Sequence, residues 1–145
     1  MHFFTTNAQE VTDSIQHDGY VLETVACLVN PSQDPGTTPF YRLYQPNSGD
    51  HLYTTDPNEA LSAIGTYGYK EEGIACYVYT TSQQDTVPLY RRSNPSTGEH
   101  FYTADSNEAQ AVLKEGFNDE GIACYVYLLG RADGYTFPLY RLYHN

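Results

Sequence analysis

The chain has 145 residues, 40% of them hydrophobic and 17% charged, with 15 Tyr, no Trp and a formal net charge of −11. That length suits one domain with a real core, and no apolar run approaches the roughly 18 residues of a membrane span, so the expectation is a single domain, residues 1–145, without membrane insertion. Seven Lys and Arg against 18 Asp and Glu argue against nucleic acid as a partner, because affinity for phosphate backbones comes from basic side chains displacing counterions.

In chain order, His2-Phe3-Phe4-Thr5 reads as a short strand. Around it there is no basic start, apolar stretch or small-residue cleavage site of a signal peptide, so the expected location is cytoplasmic or non-classically secreted. Asn7-Ala8-Gln9-Glu10 then offers an N-cap residue with Glu three positions on, which predicts a helix with Val11 and Ile15 inward, ending near Gly19. A Gly-aromatic pair leads into a strand in which Val25, Cys27 and Val29 share one face. After a variable stretch, Pro31–Thr38, the run PFYRLY from Pro39 predicts a strand. QPNSGD supplies turn residues, and HLYT a second strand. Asp56-Pro57-Asn58-Glu59 gives a capped helix start with Pro at the first helical position, and the helix is expected to end near Gly65. The next strand carries Ile74, Cys76 and Val78 on one face.

The same order then recurs. PLYRRS from Pro88, NPSTGE, HFYT and Asp105-Ser106-Asn107-Glu108 follow a second variable stretch, Thr80–Val87. Val112 and Leu113 are the inward helix residues, the helix is expected to end near Gly116, and Ile122, Cys124 and Val126 form the strand face. Tyr41 and Tyr90, like His51 and His100, stand 49 positions apart. A third variable stretch, Leu128–Phe137, precedes PLYRLYHN from Pro138, the opening strand that the N-terminal copy lacks. The repeat units are therefore residues 138–145 plus 1–30, 39–79 and 88–127. Each reads as β-β-α-β. The expected fold is mainly β with short helices: a closed pseudo-threefold ring resembling a small three-bladed propeller, its first unit closed by the C-terminal strand. Closure of that kind leaves no unpaired edge in the split unit. A β-trefoil is the alternative, although its units are generally helix-free and four-stranded. The nine strand residues Val25, Cys27, Val29, Ile74, Cys76, Val78, Ile122, Cys124 and Val126 are the expected axial core. Their cysteines read as packed thiols, and neither their spacing nor that of the histidines predicts a metal site or a cofactor.

The pattern Y-R-L-Y-x-P-x-S/T-G-D/E-H-x-Y-T, then an acidic helix cap and G-Y-x-x-E-G-I-x-x-Y-V-Y, resembles a family of tyrosine-rich repeats. That family occurs in bacterial secreted proteins, often appended to cell-wall hydrolases, and in proteins of mushroom-forming fungi. The resemblance implies an accessory, glycan-binding role. The first unit departs from the pattern, with Phe4 for Tyr, Met1 for the acid before His2, and Thr24-Val25 for Gly-Ile.

Several repeated residues are candidate carbohydrate-binding groups. His2, His51 and His100, with Asp50 and Glu99 beside the last two, are expected near a polar rim, where imidazole can donate to and accept from sugar hydroxyls or instead fix the hairpin. Arg42, Arg91 and Arg141 require carboxylate partners or an outward path. Glu10, Glu59, Glu108, Glu23, Glu72 and Glu120 are the available acids, with Glu72 and Glu120 also open to a ligand. Tyr53 and Tyr102 either stack on a pyranose or pack beneath the helix. The chemistry-bearing residues repeat rather than form a unique constellation, and no nucleophile elbow, P-loop or dinucleotide fingerprint is present, so no catalysis is expected. The functional expectation is a lectin-like protein with two or three equivalent glycan sites. A protein-interaction or defence module, such as a protease inhibitor acting through the inter-repeat loops, is the alternative.

Overall fold

The computed structural model describes residues 1–131 and 134–145, and among these the chain is mainly β, with nine strands and three short helices. The order is β1 (His2–Thr5), α1 (Ala8–His17), β2 (Val21–Val29), β3 (Thr38–Tyr44), β4 (His51–Thr54), α2 (Pro57–Tyr67), β5 (Lys70–Val78), β6 (Thr86–Asn94), β7 (Glu99–Thr103), α3 (Ser106–Leu113), β8 (Asn118–Tyr127) and β9 (Phe137–Tyr143). Residues 132 and 133 of the third variable stretch lie outside the described residues.

Three antiparallel triplets carry the structure: β1-β9-β2, β4-β3-β5 and β7-β6-β8. β9 pairs with β1 from His2↔Tyr143 to Thr5↔Tyr140, so the two ends of the chain share one sheet. The triplets meet through their last strands. Leu28 pairs with Tyr127, Asn30 bridges Tyr77, and Tyr79 bridges Tyr125. The strands thus curve into a nearly closed, barrel-like arrangement. Turn chemistry sets the hairpins: Gly49 and Gly98 hold φ of +83° and +79°, a region costly for any residue with a Cβ.

Asn7, Asp56 and Asp105 cap the helices as the sequence predicts, each accepting from backbone N–H groups of the first turn. The acids at the third helical position do not close a capping box, however. The cap residues' own N–H groups go to Thr5, Thr54 and Thr103 Oγ1, which frees Glu10, Glu59 and Glu108 to reach across to arginines. The helices end near the expected glycines, though not at them. α2 runs through Gly65 to Tyr67 and is stopped by Gly68 in the left-handed conformation, φ 73°; α1 and α3 end before Gly19 and Gly116. Val11 and Val112 face inward, whereas Ile15 is 44% exposed.

Cys27, Val29, Cys76, Val78, Cys124 and Val126 are buried together with Phe40, Leu89 and Leu139. The outer members of the three expected rows are not. Ile74 and Ile122 are 47% and 46% exposed, and Val25 is half-buried. The cause is a β-bulge at the same place in each triplet, where the register jumps between Val25 and Cys27, Ile74 and Cys76, and Ile122 and Cys124. One extra residue there reverses the facing of the residues before it, as far as a second register shift in each triplet. The thiols are free and buried, and burial pushes that of Cys27 up to about 12.

Candidate functional site

The strands β1, β4 and β7 face one another, and tyrosine hydroxyls satisfy the inward backbone of Phe4 in β1 and of Tyr53 in β4. Tyr53 Oη accepts from Phe4 N–H at 2.8 Å and donates to Phe4 C=O at 2.7 Å; Tyr102 Oη does the same to Tyr53 at 2.8 Å in each direction. The rings of Phe4, Tyr53 and Tyr102 meet pairwise edge to face, with centroids 5.6, 5.6 and 5.4 Å apart. Both tyrosines are 1% exposed, so neither can stack on a sugar, and that reading of Tyr53 and Tyr102 is corrected. Phe4 carries no hydroxyl, so the relay stops at Tyr102. Tyr102→Phe should lower stability by about 1–3 kcal/mol, because it leaves the buried N–H and C=O of Tyr53 without their partner. A urea titration checks this, with Phe4→Tyr expected to move the midpoint in the opposite direction.

Each repeated arginine bridges two elements. Arg42 holds Glu10 of α1 in a bidentate pair at 2.9 Å, Arg91 holds Glu59 of α2 at 2.8 and 2.7 Å, and Arg141 holds Glu108 of α3 at 2.7 and 3.0 Å. The Nε groups of Arg91 and Arg141 donate to Glu120 and Glu23 at 2.9 and 2.8 Å. Arg42 Nε also lies 3.0 Å from Glu72 but is not aligned as a hydrogen bond. Three of these six pairings tie each helix to the next triplet, and the other three join strands within a triplet. A further arginine, Arg92, is 2% exposed where the other units carry Leu43 and Leu142; it donates to Ala109 C=O and Arg91 C=O and pairs with Asp119. A single Arg in place of the repeated Leu was the only sequence signal for it.

The bridges set carboxylate protonation. Hydrogen bonds from Arg91 and His51 hold Glu59 and Glu72 below the ordinary carboxylate range against the opposing effect of burial. Burial raises Glu10 and Glu108, yet Arg42 and Arg141 still leave them net lowered. A carboxylate whose folded value lies below its unfolded one stabilises the fold fully above the unfolded value, and that contribution disappears as pH falls through the folded value. The carboxylate-linked part of stability should therefore fall most steeply below about pH 4.3. Urea midpoints measured against pH check this, and Arg91→Met should show a shallower acid loss than the parent.

The histidines mark the three seams between triplets. His100 Nδ1 meets Asp50 Oδ2 at 2.6 Å, while its backbone N–H donates to Asp50 Oδ1 at 2.7 Å. Asp50 is fully buried and also accepts from Tyr69 Oη at 2.6 Å. His2 Nδ1 meets Glu99 at 2.5 Å and its Nε2 lies 3.1 Å from Glu23. His51 Nε2 lies 3.5 Å from Glu72, but its buried Nδ1 has no partner among the described residues, because Met1 occupies the position of the missing acid. Thus His2, His51, His100, Asp50, Glu99 and the arginines are gathered at the seams rather than on an open rim.

Two clefts open beside these seams. The first, of about 570 Å³, is walled by Met1, Tyr20, Tyr44, Asn47, His51 and His144; the second, of about 550 Å³, by Gln45, Tyr67, Tyr69, Gly98, His100 and Glu120. They are equivalent places in successive repeats: Tyr20 and Tyr69, His51 and His100, and Glu72 and Glu120 face into them. Of the expected site residues, His51, Arg42 and Glu72 line the first cleft and His100 and Glu120 the second; neither is lined by Tyr53, Tyr102, Asp50, Glu99 or Arg141. Tyr20, Tyr44, Tyr67 and Tyr69 were not singled out from the sequence, although the Gly-aromatic pair before each third strand marks two of them. Positive φ at Gly19 lets His144 approach within 3.1 Å of where a Cβ would stand, and Gly68 admits Gln45 at 3.4 Å.

Among the described residues no helix is long and apolar enough to cross a membrane, and no group of three or more His, Cys, Asp and Glu is placed to hold a metal ion. Neither the curated proteins nor the solved structures yield a match to the chain. A family model described as "Domain of unknown function (DUF5648)" matches residues 1–127, ending at the last residue of β8. With that match over most of its length, the chain belongs to the DUF5648 family.

Proposed function

We propose that this protein is a non-catalytic, lectin-like carbohydrate binder whose sites are the two seam clefts, and that its triplets form a pseudo-threefold, propeller-like ring. The observation that carries the reading is the pair of equivalent clefts, about 570 and 550 Å³, each combining tyrosine rings with hydroxyl, amide, imidazole and carboxylate groups. That size is within the range of small-ligand sites, and the mixture of ring faces and planar polar groups suits a pyranose. Tyr67 is 65% exposed at the mouth of the second cleft and offers a face to stack on. Two weak sites on one rigid body gain avidity toward multivalent glycans. The resemblance to tyrosine-rich repeats appended to cell-wall hydrolases supports the same ligand class. Against catalysis, Glu10, Glu59, Glu72 and Glu108 are all held ionised, whereas glycoside cleavage needs one carboxyl kept protonated as the acid.

A glycan array tests the reading. Binding to at least one glycan class is expected, and Tyr67→Ala should weaken it about tenfold while leaving stability within about 0.5 kcal/mol, the usual range for an exposed position. An array silent for every glycan contradicts it. The interaction-module reading has one observation in its favour: Leu128, Leu129 and Tyr135 of the third variable stretch are 54%, 56% and 77% exposed. Exchange of that stretch for Thr80–Val87 would abolish a protein contact and leave glycan binding unchanged.

A further inference from the structure

We propose that the first cleft takes the carboxylate of an acidic saccharide, held where the neighbouring seam carries its own buried acid. The inference rests on the carbohydrate reading and names the ligand class for one of its two sites. At the second seam, three donors converge on the Asp50 carboxylate: Tyr69 Oη, His100 Nδ1 and His100 N–H. A carboxylate at neutral pH only accepts, so Nδ1 of His100 is the donor in that pair. Tyr20 and His51 are the equivalents of Tyr69 and His100, and both line the first cleft. Met1 stands where Asp50 would be repeated, and its thioether side chain cannot replace two carboxylate oxygens. His51 Nδ1 is left buried without a partner, its side chain only 10% exposed. An unsatisfied buried polar atom costs about 1–3 kcal/mol, which a ligand acceptor would relieve. The cleft therefore keeps donors of the neighbouring seam's type and has lost the acid they serve; Met1 walls it at that place, so a ligand carboxylate reaches Nδ1 by displacing the thioether chain.

The surroundings decide between a free acid and an acidic sugar. Arg42 is bracketed by Glu10 and Glu72, and Asp18 adds a negative charge to the wall. Against Arg42 and the Met1 ammonium stand the carboxylates of Glu10, Asp18 and Glu72, so a bare carboxylate gains little attraction and affinity must also come from ring and hydroxyl contacts. Tyr44 and His144 offer ring faces, and Asn47 and Ser48 offer hydrogen bonds. A uronic-acid-like group presents both parts.

The test is titration of the ¹⁵N-labelled protein with D-glucuronate, D-glucose and acetate, read at the His51 ring nitrogens and at the backbone of both clefts. Glucuronate is expected to shift His51 Nδ1 with one site per chain and to bind at least about tenfold more tightly than glucose or acetate. His51→Phe, and Met1→Asp prepared by cleaving a leader so that Asp stands first, should each lose that about tenfold preference; Met1→Asp fills the place with a carboxylate of the protein's own. Glucose shifting His51 as strongly as glucuronate overturns the carboxylate assignment and leaves the lectin reading standing. So does full glucuronate binding by Met1→Asp. Acetate matching glucuronate overturns the saccharide part. Silence of both clefts toward both sugars, together with a silent array, overturns the lectin reading and this inference with it.

Discussion

Deletion of residues 137–145 is expected to leave a chain that does not fold. β9 is the middle strand of its triplet, paired with β1 on one side and β2 on the other. Its Leu139 and Leu142 are 1% and 0% exposed, and its Arg141 joins Glu108 to Glu23. Loss of a fully buried Leu side chain alone costs about 2–5 kcal/mol, and two such losses approach the whole stability of a typical domain, about 5–15 kcal/mol. The deletion also exposes the ladder edges of β1 and β2 and strands two carboxylates. Circular dichroism and a proton spectrum of the truncated chain check this, and a synthetic peptide of residues 137–145 should restore the native spectrum in trans. A truncated chain that unfolds cooperatively would contradict the closure of the first unit by the last strand.

Arg91→Ala is the second large effect, with an expected loss of about 2–4 kcal/mol. Its guanidinium satisfies Glu59 bidentately and Glu120 through Nε, so truncation leaves two carboxylates facing each other without the guanidinium, and His100, 3.7 Å from Glu120, as the nearest basic group. Breaking a fully buried pair costs about 3–5 kcal/mol; Glu59 and Glu120 are each about a third exposed, so water screens part of the penalty and brings it down to about 2–4 kcal/mol. In a chain of this size that is a fall of several degrees, about 3–5 °C per kcal/mol, in the thermal midpoint. Arg91→Lys should recover little, because an ammonium cannot reproduce the fork on Glu59. Thermal unfolding of the three proteins at neutral pH is the measurement; a loss below about 0.5 kcal/mol for Arg91→Ala would place the bridge among ordinary surface pairs.

Local order was readable from the sequence, since caps, turns and strand runs are short-range signals. Asn7, Asp56 and Asp105 cap where expected, and the strand pairing of the two ends follows from PLYRLY at Pro138 matching the copies at Pro39 and Pro88. What depended on three-dimensional convergence was not. Ile74 and Ile122 look like core residues by alternation, but a bulge, invisible to a period of two, turns them outward. Tyr53 and Tyr102 look equally suited to a binding face or a core; only the opposed backbones of β1 and β4 reveal that their hydroxyls bind main chain. The arginine–glutamate pairs were legible as partners by type, yet a capping box competed for Glu10, Glu59 and Glu108 until the threonine hydroxyls were seen to serve the cap. The clefts themselves arise between units, and a repeat read one copy at a time does not show what two copies enclose. The departure at Met1, by contrast, was plain in the sequence, and the structure gives it a consequence in the unpartnered Nδ1 of His51.

Whether the two seam clefts are equivalent carbohydrate sites is read from backbone amide shifts during titration with the glycan that the array selects. A neutral glycan is expected to bind two to the chain and an acidic one once, in the first cleft, with the largest shifts among Tyr20, Tyr44, Tyr67 and Tyr69 and little change at residues 31–38 and 80–87. Shifts confined to those inter-repeat loops, or to a single place outside both clefts, would contradict the carbohydrate reading of the clefts.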